Sequence, residues 1–157
     1  TRAGQLHHWN LSPGQILSAP IDSDALLENP LHSKESISHL LVYRAFPQIN
    51  GIIHSHPFNI LPFCVAEKPI KALLKSTQVL ADEFEFIAEK PMYSKEQGEE
   101  IVRKLRGKEE KMKKFGAAVL MPQHGIFVVG PTLFWALDCL ERVETNAWCQ
   151  IAQKWIA

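Results

Sequence analysis

The residues best suited to chemistry lie in the segment Gly51–Pro57, where two histidines stand two positions apart. His54 and His56 follow a short apolar run that is typical of a β-strand. Because side chains alternate between the faces of a strand, both imidazoles should project to the same side, with their backbones about 6–7 Å apart. This spacing would allow the two imidazoles to coordinate one metal ion.

A third histidine, His124, lies far along the chain in the sequence Gln123-His124-Gly125. Apolar runs precede and follow it, which predicts two antiparallel strands joined by a tight corner. We expect Gly125 to permit the turn at this corner, because it has no side chain. Spacing alone does not bring His124 to the other pair, and a lone histidine at a strand end is more often a hydrogen-bonded structural residue.

Three imidazoles on one ion would leave a coordination position open, as in catalytic rather than structural zinc sites. Imidazole ligands also suit copper, nickel and iron, so ligand type alone leaves the ion open. A carboxylate is available in Glu35, directly before a helical pattern that we expect to run from Ser36 to about Phe46. Ser33 and Glu35 would then lie at the helix N-terminus, where backbone N–H groups favour an anion.

Composition excludes several classes of function. The 157 residues suit one domain with a sizeable core, and 17 basic residues balance 17 acidic ones. A neutral chain without a basic stripe argues against nucleic acid as a partner. No apolar segment approaches the roughly 20 residues that span a bilayer. Three cysteines without a Cys-x-x-Cys pair indicate reduced thiols in a cytosolic protein.

The rest of the chain alternates between helical and extended patterns, which predicts an α/β or α+β domain with helices that cover a sheet. The expected elements are a capped helical turn at 11–17, a strand at 52–56, a helix at 58–65, a strand at 84–87 and a helix at 95–106 that ends at Gly107. The charged run Lys108–Lys114 is expected to be a solvated face or a loop.

A long final helix should open at Pro131-Thr132. Its expected apolar face consists of Leu133, Ala136, Leu137, Leu140, Val143, Trp148 and Ile151. We interpret the tryptophans of this helix as packing or subunit-contact residues rather than as a platform for a cofactor.

Taken together, these motifs resemble the class II aldolase/adducin family, which includes fuculose-phosphate and rhamnulose-phosphate aldolases and ribulose-phosphate 4-epimerase. The motifs are Ser33-Lys34-Glu35, the run from His39 to Pro47, His54-Ser55-His56-Pro57, Gln123-His124-Gly125 and a final helix bearing Ala136 and Glu144. The resemblance runs from Thr1 through the last helix. It implies one domain over residues 1–157, with a three-layer αβα fold whose central, mostly antiparallel sheet is covered by helices.

The resemblance also implies roles for particular residues. His54, His56 and His124 would be zinc ligands, and Glu35 would be the acid/base group. Thr1, Gly4 and Ser33 would contact the substrate phosphate. The implied reaction is cleavage of a ketose 1-phosphate through an enediolate that the metal stabilises. A cytoplasmic homotetramer with active sites at subunit borders is the implied assembly.

Some features depart from the family pattern. The family's opening helix and its Gly-Asn-x-Ser strand pair are missing, and Lys34 stands where aldolases often carry a second serine. The tyrosine that assists protonation in fuculose-phosphate aldolase would fall near Lys75, and Tyr93 is expected to belong to a different loop. Glu35 favours an aldolase over an epimerase, which typically has aspartate there. A dehydratase, a decarboxylase, an epimerase and a non-catalytic adducin-like module remain as alternatives.

Overall fold

A computed structural model describes residues 12–156. After a short 3-10 helix, Pro13–Gln15, the helices are α1 Ala25–Glu28, α2 Ser36–Ala45, α3 Leu61–Ala66, α4 Lys75–Gln78, α5 Lys95–Leu105, α6 Glu109–Lys114 and α7 Leu133–Ile156. The strands are β1 Gly51–Ser55, β2 Ile70–Lys71, β3 Glu83–Phe84, β4 Ala117–Met121 and β5 Gly125–Gly130. No helix within residues 12–156 is long and apolar enough to cross a bilayer.

The main sheet consists of three strands in the order β1-β5-β4, and both pairings are antiparallel. In this register, His54 lies opposite Phe127 on β5, and Met121 at the end of β4 lies opposite Gly125. The end of β1 that carries the histidines therefore lies beside the turn between β4 and β5. A parallel bridge from Phe86 to Leu120 continues the sheet on the far side of β4.

Helices cover both faces of this sheet. On one face, Leu120 and Val128 pack with side chains from α3 and α7, among them Phe63 and Val143. On the opposite face, the alternate strand residues pack with side chains from α2, α5 and α6; this cluster includes Val119, Phe127, Val42, Ile101 and Met112. Strands β4 and β5 are buried at every position, which explains why their sequences are apolar throughout. The expected fold, a mostly antiparallel sheet between two layers of helices, is confirmed.

The bounds of several elements differ from expectation. Helix α2 ends at Ala45, close to the predicted bound. The helix expected at 58–65 begins only at Leu61, because the preceding residues form a turn in which Phe58 is exposed. The strand expected at 84–87 is paired as β3 only at 83–84, and the chain then crosses to β4.

Helix α7 buries only part of the predicted apolar face: Ala136 and Val143 are fully buried, and Leu140 and Ile151 pack against the core cluster. Leu133, Leu137 and Trp148 are 61%, 46% and 45% exposed, so this part of the prediction is wrong. The fully buried positions are Ala136, Cys139, Val143, Asn146 and Ala147. These mostly small side chains allow the helix to lie close to the sheet, whereas the hydropathy pattern also included three large apolar residues that stay exposed.

The charged run Lys108–Lys114 forms a helix rather than a loop. Its polar side chains are mostly exposed, as expected for a solvated face, but Met112 is completely buried in the core. One apolar residue therefore fixes the orientation of α6 against the sheet.

Replacement of Met112 with alanine should lower the free energy of unfolding by about 2–5 kcal/mol, because it leaves a cavity in the core. Met92→Ala is the matched control, since Met92 is 58% exposed and its truncation should change stability by no more than about 0.5 kcal/mol. Denaturant unfolding of both variants tests this. Equal stabilities of the two variants would contradict the buried position of Met112.

Candidate metal centre

The structure brings three histidines from remote parts of the chain into one cluster, here called the imidazole triad: His54, His56 and His124. One ring nitrogen from each lies within 4.8 Å of the corresponding nitrogens of the other two. His54 and His56 come from the end of β1, and His124 comes from the turn between β4 and β5. The three histidines therefore converge in space, which their spacing in the sequence alone did not establish.

His54 is held in one tautomer by the adjacent strand. Its Nδ1 lies 3.1 Å from the carbonyl oxygen of Ile126, and because a carbonyl oxygen only accepts, Nδ1 carries the proton and donates. This leaves the lone pair of Nε2 facing the other imidazoles. Burial, followed by the nearby His124 and His56, lowers the pKa of His54 to about 3. The ring is therefore neutral at physiological pH, which is the state that binds metals.

The triad fits a divalent transition metal. The Nε2 atoms of His54 and His56 lie 3.0 Å apart. Two nitrogens on a tetrahedral zinc ion lie about 3.3 Å apart, given bonds of about 2.0–2.1 Å. Burial, followed by His56, also lowers the pKa of His124. An all-imidazole donor set suits zinc, copper, nickel or iron, and the residues present do not select one of these ions.

Glu35 is the carboxylate nearest to the triad. One of its oxygens, Oε1, lies 3.7 Å from Nε2 of His54 and 4.0 Å from Nε2 of His124. These distances are too long for hydrogen bonds, and a neutral His54 makes no ion pair with the carboxylate. The other oxygen, Oε2, is buried and has no hydrogen-bond partner among the described residues. Burial raises the pKa of Glu35.

Gly125 is needed at the turn, but not for the reason we expected. The residue with a left-handed backbone is Gln123, with φ 51°, and Gly125 does not have a positive φ. A Cβ at Gly125 would instead collide with the carbonyl oxygen of Ser55 and lie 2.7 Å from Cδ2 of His56. Glycine therefore lets β1 approach the turn closely enough for His56 to stack on His124, with ring centroids 4.8 Å apart.

Two residues that sequence reasoning gave no role at the site support the segment after His56. Both the backbone N–H and the side-chain amide of Asn59 donate to Oε1 of Glu144 on α7, at 3.1 and 2.9 Å. This interaction ties the loop that follows His56 to the longest helix. In the sequence, this interaction is indicated only by a polar loop residue, Asn59, and by a carboxylate, Glu144, on a helix that otherwise packs in the core.

Tyr93 is the clearest omission of the sequence interpretation, which places it in a separate loop. Its ring lies edge-on to His124, with the centroids 6.4 Å apart. The ammonium group of Lys34 lies 5.2 Å from the centroid of the same ring. No local pattern indicates these contacts, because they join positions that are far apart in the chain.

A cavity of about 350 Å³ opens beside Glu35. Ser33, His39 and Tyr43 contribute polar groups to its wall, and most of the remaining lining is apolar. This volume lies within the range of small-molecule sites. Ser33 thus lies close to Glu35, as predicted, and its hydroxyl accepts a hydrogen bond from the Glu35 N–H at 3.3 Å. Thr1 and Gly4, the other predicted phosphate contacts, lie outside the described residues.

Residues 2–151 match the family of class II aldolase and adducin N-terminal domains. The chain therefore belongs to the class II aldolase/adducin family, as the sequence motifs predicted.

Comparison with individual proteins supports this assignment. A methylthioribulose-1-phosphate dehydratase of Gluconacetobacter diazotrophicus is 24% identical over an alignment that covers all of this chain and 78% of the relative. An L-fuculose-1-phosphate aldolase structure from Thermus thermophilus superposes with a TM-score of 0.75 and 22% identity, over 92% of this chain and 71% of that chain.

A second L-fuculose 1-phosphate aldolase structure gives a TM-score of 0.68 with 23% identity. This match covers 81% of the present chain but only 57% of the aldolase chain. At these identities the structural likenesses establish the fold alone.

Replacement of Gly125 with alanine should displace His56 and weaken metal binding, because the added Cβ has no room between β1 and the turn. We expect less bound metal per chain after dialysis against a fixed free zinc concentration. The matched control is Gly14→Ala, since a Cβ at Gly14 would meet nothing within 4 Å. Full metal occupancy in Gly125→Ala would contradict this packing argument.

Proposed function

We propose that this protein is a zinc-dependent aldolase that cleaves a ketose 1-phosphate, with Glu35 as the acid/base group. The observation that carries the proposal is the approach of Glu35 to three converging imidazoles, of which His54 is neutral. His54, His56 and His124 would hold the metal. When bound, the metal would supply the positive charge that stabilises the enediolate left by cleavage of the carbon–carbon bond.

Glu35 would move the proton that the reaction requires. Its carboxylate lies within 4.0 Å of two imidazoles and lines the neighbouring cavity, so it borders both the metal ligands and the space for a substrate. Burial favours its protonated form, whereas a bound cation would favour the charged form. These opposing effects suit a group that has to accept and return a proton within one catalytic cycle.

The remaining parts of the proposal concern the substrate and the assembly. Ser33, Thr1 and Gly4 would contact the phosphate, and the cavity beside Glu35 would receive the sugar. We also propose a homotetramer in the cytoplasm. The exposed apolar residues of α7, including Trp148 and Trp155, are compatible with burial at a subunit border.

A second candidate function is dehydration of a ketose 1-phosphate. It is favoured by the name of the relative from G. diazotrophicus, a methylthioribulose-1-phosphate dehydratase that aligns with the whole chain. A panel of ketose 1-phosphates, assayed both for released aldehyde and for loss of water, separates the two reactions. Release of aldehyde with dihydroxyacetone phosphate supports the aldolase, and a dehydrated product without aldehyde supports the alternative.

Glu35→Gln should keep the metal and lower the rate of cleavage by about 10²–10⁴-fold, because glutamine cannot transfer a proton. Glu99→Gln is the matched control, since Glu99 is an exposed carboxylate on α5. Turnover and metal content should be measured on the same preparations. An unchanged rate in Glu35→Gln would remove Glu35 from the mechanism.

His124→Ala should lower the amount of bound zinc and abolish turnover, because two imidazoles would then hold the ion. His32→Ala is the control for loss of a histidine, since the His32 ring bonds to the carbonyl of Asn29 rather than joining the triad. Elemental analysis and activity assays test both variants. Wild-type turnover by His124→Ala in metal-free buffer would refute the proposed metal centre.

A further inference from the structure

Tyr93 has a backbone conformation that its side chain disfavours. Its φ is 65°, in the left-handed region that aromatic residues rarely adopt. Two hydrogen bonds among Tyr93 and the residues that follow it hold this conformation. The Tyr93 N–H donates to Oε1 of the buried Gln97 at 3.0 Å, and the Gln97 N–H donates to the hydroxyl of Ser94 at 3.1 Å. The surrounding hydrogen bonds therefore impose a strained backbone at this position.

The presence of a tyrosine at position 93 is not explained by a contribution to folding stability. The residue remains 38% exposed, so its ring contributes little to the core, and its backbone is strained. Strained residues that persist in spite of their cost cluster at functional sites. The observed effect of the conformation is to place the ring beside the imidazole triad, with one face under the ammonium group of Lys34.

Lys34 supplies a positive charge at the edge of the site. It makes no salt bridge with the acidic groups of the described residues 12–156, and the neighbouring Glu35 carboxylate turns towards the triad. The face of the Tyr93 ring attracts the ammonium group through the negative side of its quadrupole. This contact holds a flexible side chain near one position while leaving its N–H donors available.

We propose that Lys34 binds the substrate phosphate and that Tyr93 is the positioning residue that holds its ammonium group beside the triad. An ammonium group is a compact charge with three donors, well suited to phosphate oxygens. The identity of the phosphate compound rests on the proposed function. The pairing of Lys34 with Tyr93 rests on the contacts described above.

The charge of Lys34 can be tested by substitution with methionine, which keeps most of the apolar stem. Lys34→Met should raise the Kd for inorganic phosphate, and the KM for a ketose 1-phosphate, by about 10- to 100-fold, the range for hydrogen bonds to charged groups. Metal content should stay unchanged, and Lys34→Arg should retain most of the binding. Lys95→Met, at an exposed lysine, is the matched control.

Two substitutions separate the contribution of the Tyr93 ring from that of its hydroxyl group. Tyr93→Phe should bind phosphate as the wild type does, because the ring face remains. Tyr93→Leu should weaken binding by about two- to fivefold, the range for an exposed cation–π contact. Leucine at φ 65° keeps the backbone strain, so this variant removes the ring without relaxing the loop.

A double-mutant cycle decides whether the two residues act together. If Tyr93 acts through Lys34, the double variant Lys34→Met, Tyr93→Leu should bind phosphate no more weakly than Lys34→Met alone. Calorimetric titration of inorganic phosphate into the zinc-loaded full chain gives the four Kd values without turnover. If the Kd of the double variant rises by the product of the two single-variant effects, the positioning role of Tyr93 is overturned. An unchanged Kd in Lys34→Met would overturn the phosphate contact.

Failure of this inference is distinguishable from failure of the proposed function. If the predicted pattern of Kd values is found while no ketose 1-phosphate is cleaved or dehydrated, the Lys34–Tyr93 pairing stands and the proposed reaction is wrong. If a ketose 1-phosphate is turned over by wild type and Lys34→Met with equal KM, the reaction stands and the pairing is wrong.

Discussion

The antiparallel pairing of β1 with β5 is the constraint on which the candidate site depends. Its register sets His54 opposite Phe127 and carries the end of β1 past the turn from β4 to β5. A shift by one residue would turn His54 and His56 to the opposite face of the sheet, away from His124. The register is defined by two buried faces, because the alternating residues of β4 and β5 belong to separate core clusters. The same apolar packing that stabilises the fold therefore determines the geometry of the triad.

The triad is a polar cluster next to this apolar core. Its burial there determines the direction of the pKa shifts of His54 and His124. Burial lowers the pKa of His54 and His124 and raises the pKa of Glu35, so each group is biased towards its uncharged form. The buried Nδ1 of His124 and Oε2 of Glu35 have no hydrogen-bond partners among the described residues. An unpaired buried polar atom is costly for folding, so these two atoms lower the stability of the fold unless a ligand or a water molecule binds them.

Sequence patterns predicted the local parts of this site and missed its long-range parts. Strand alternation correctly placed His54 and His56 on one side, and the helical pattern after Glu35 correctly located the start of α2. The need for glycine at position 125 was recognised, but the cause is contact with Ser55, which lies 70 positions away in the sequence. Local sequence patterns also do not predict the contact between Tyr93 and His124. Hydropathy identified only part of the buried face of α7: it included the exposed Leu133, Leu137 and Trp148 and missed small or polar buried residues such as Cys139 and Asn146.

The geometry of the triad does not by itself select the reaction, because aldol cleavage and dehydration both pass through a stabilised enediolate. The two reactions differ in the proton that is removed. Cleavage takes a proton from a hydroxyl group beside the bond that breaks, whereas dehydration takes one from carbon and returns one to the departing hydroxyl. Glu35 is the carboxylate placed against the triad, so the position of the sugar relative to this one group would decide which proton it reaches. If the phosphate is anchored at one end and the ketone oxygens at the other, the span between the two anchors fixes that position. If Lys34 anchors the phosphate as proposed, the reaction would depend on the distance from Lys34 to the triad as well as on the triad itself.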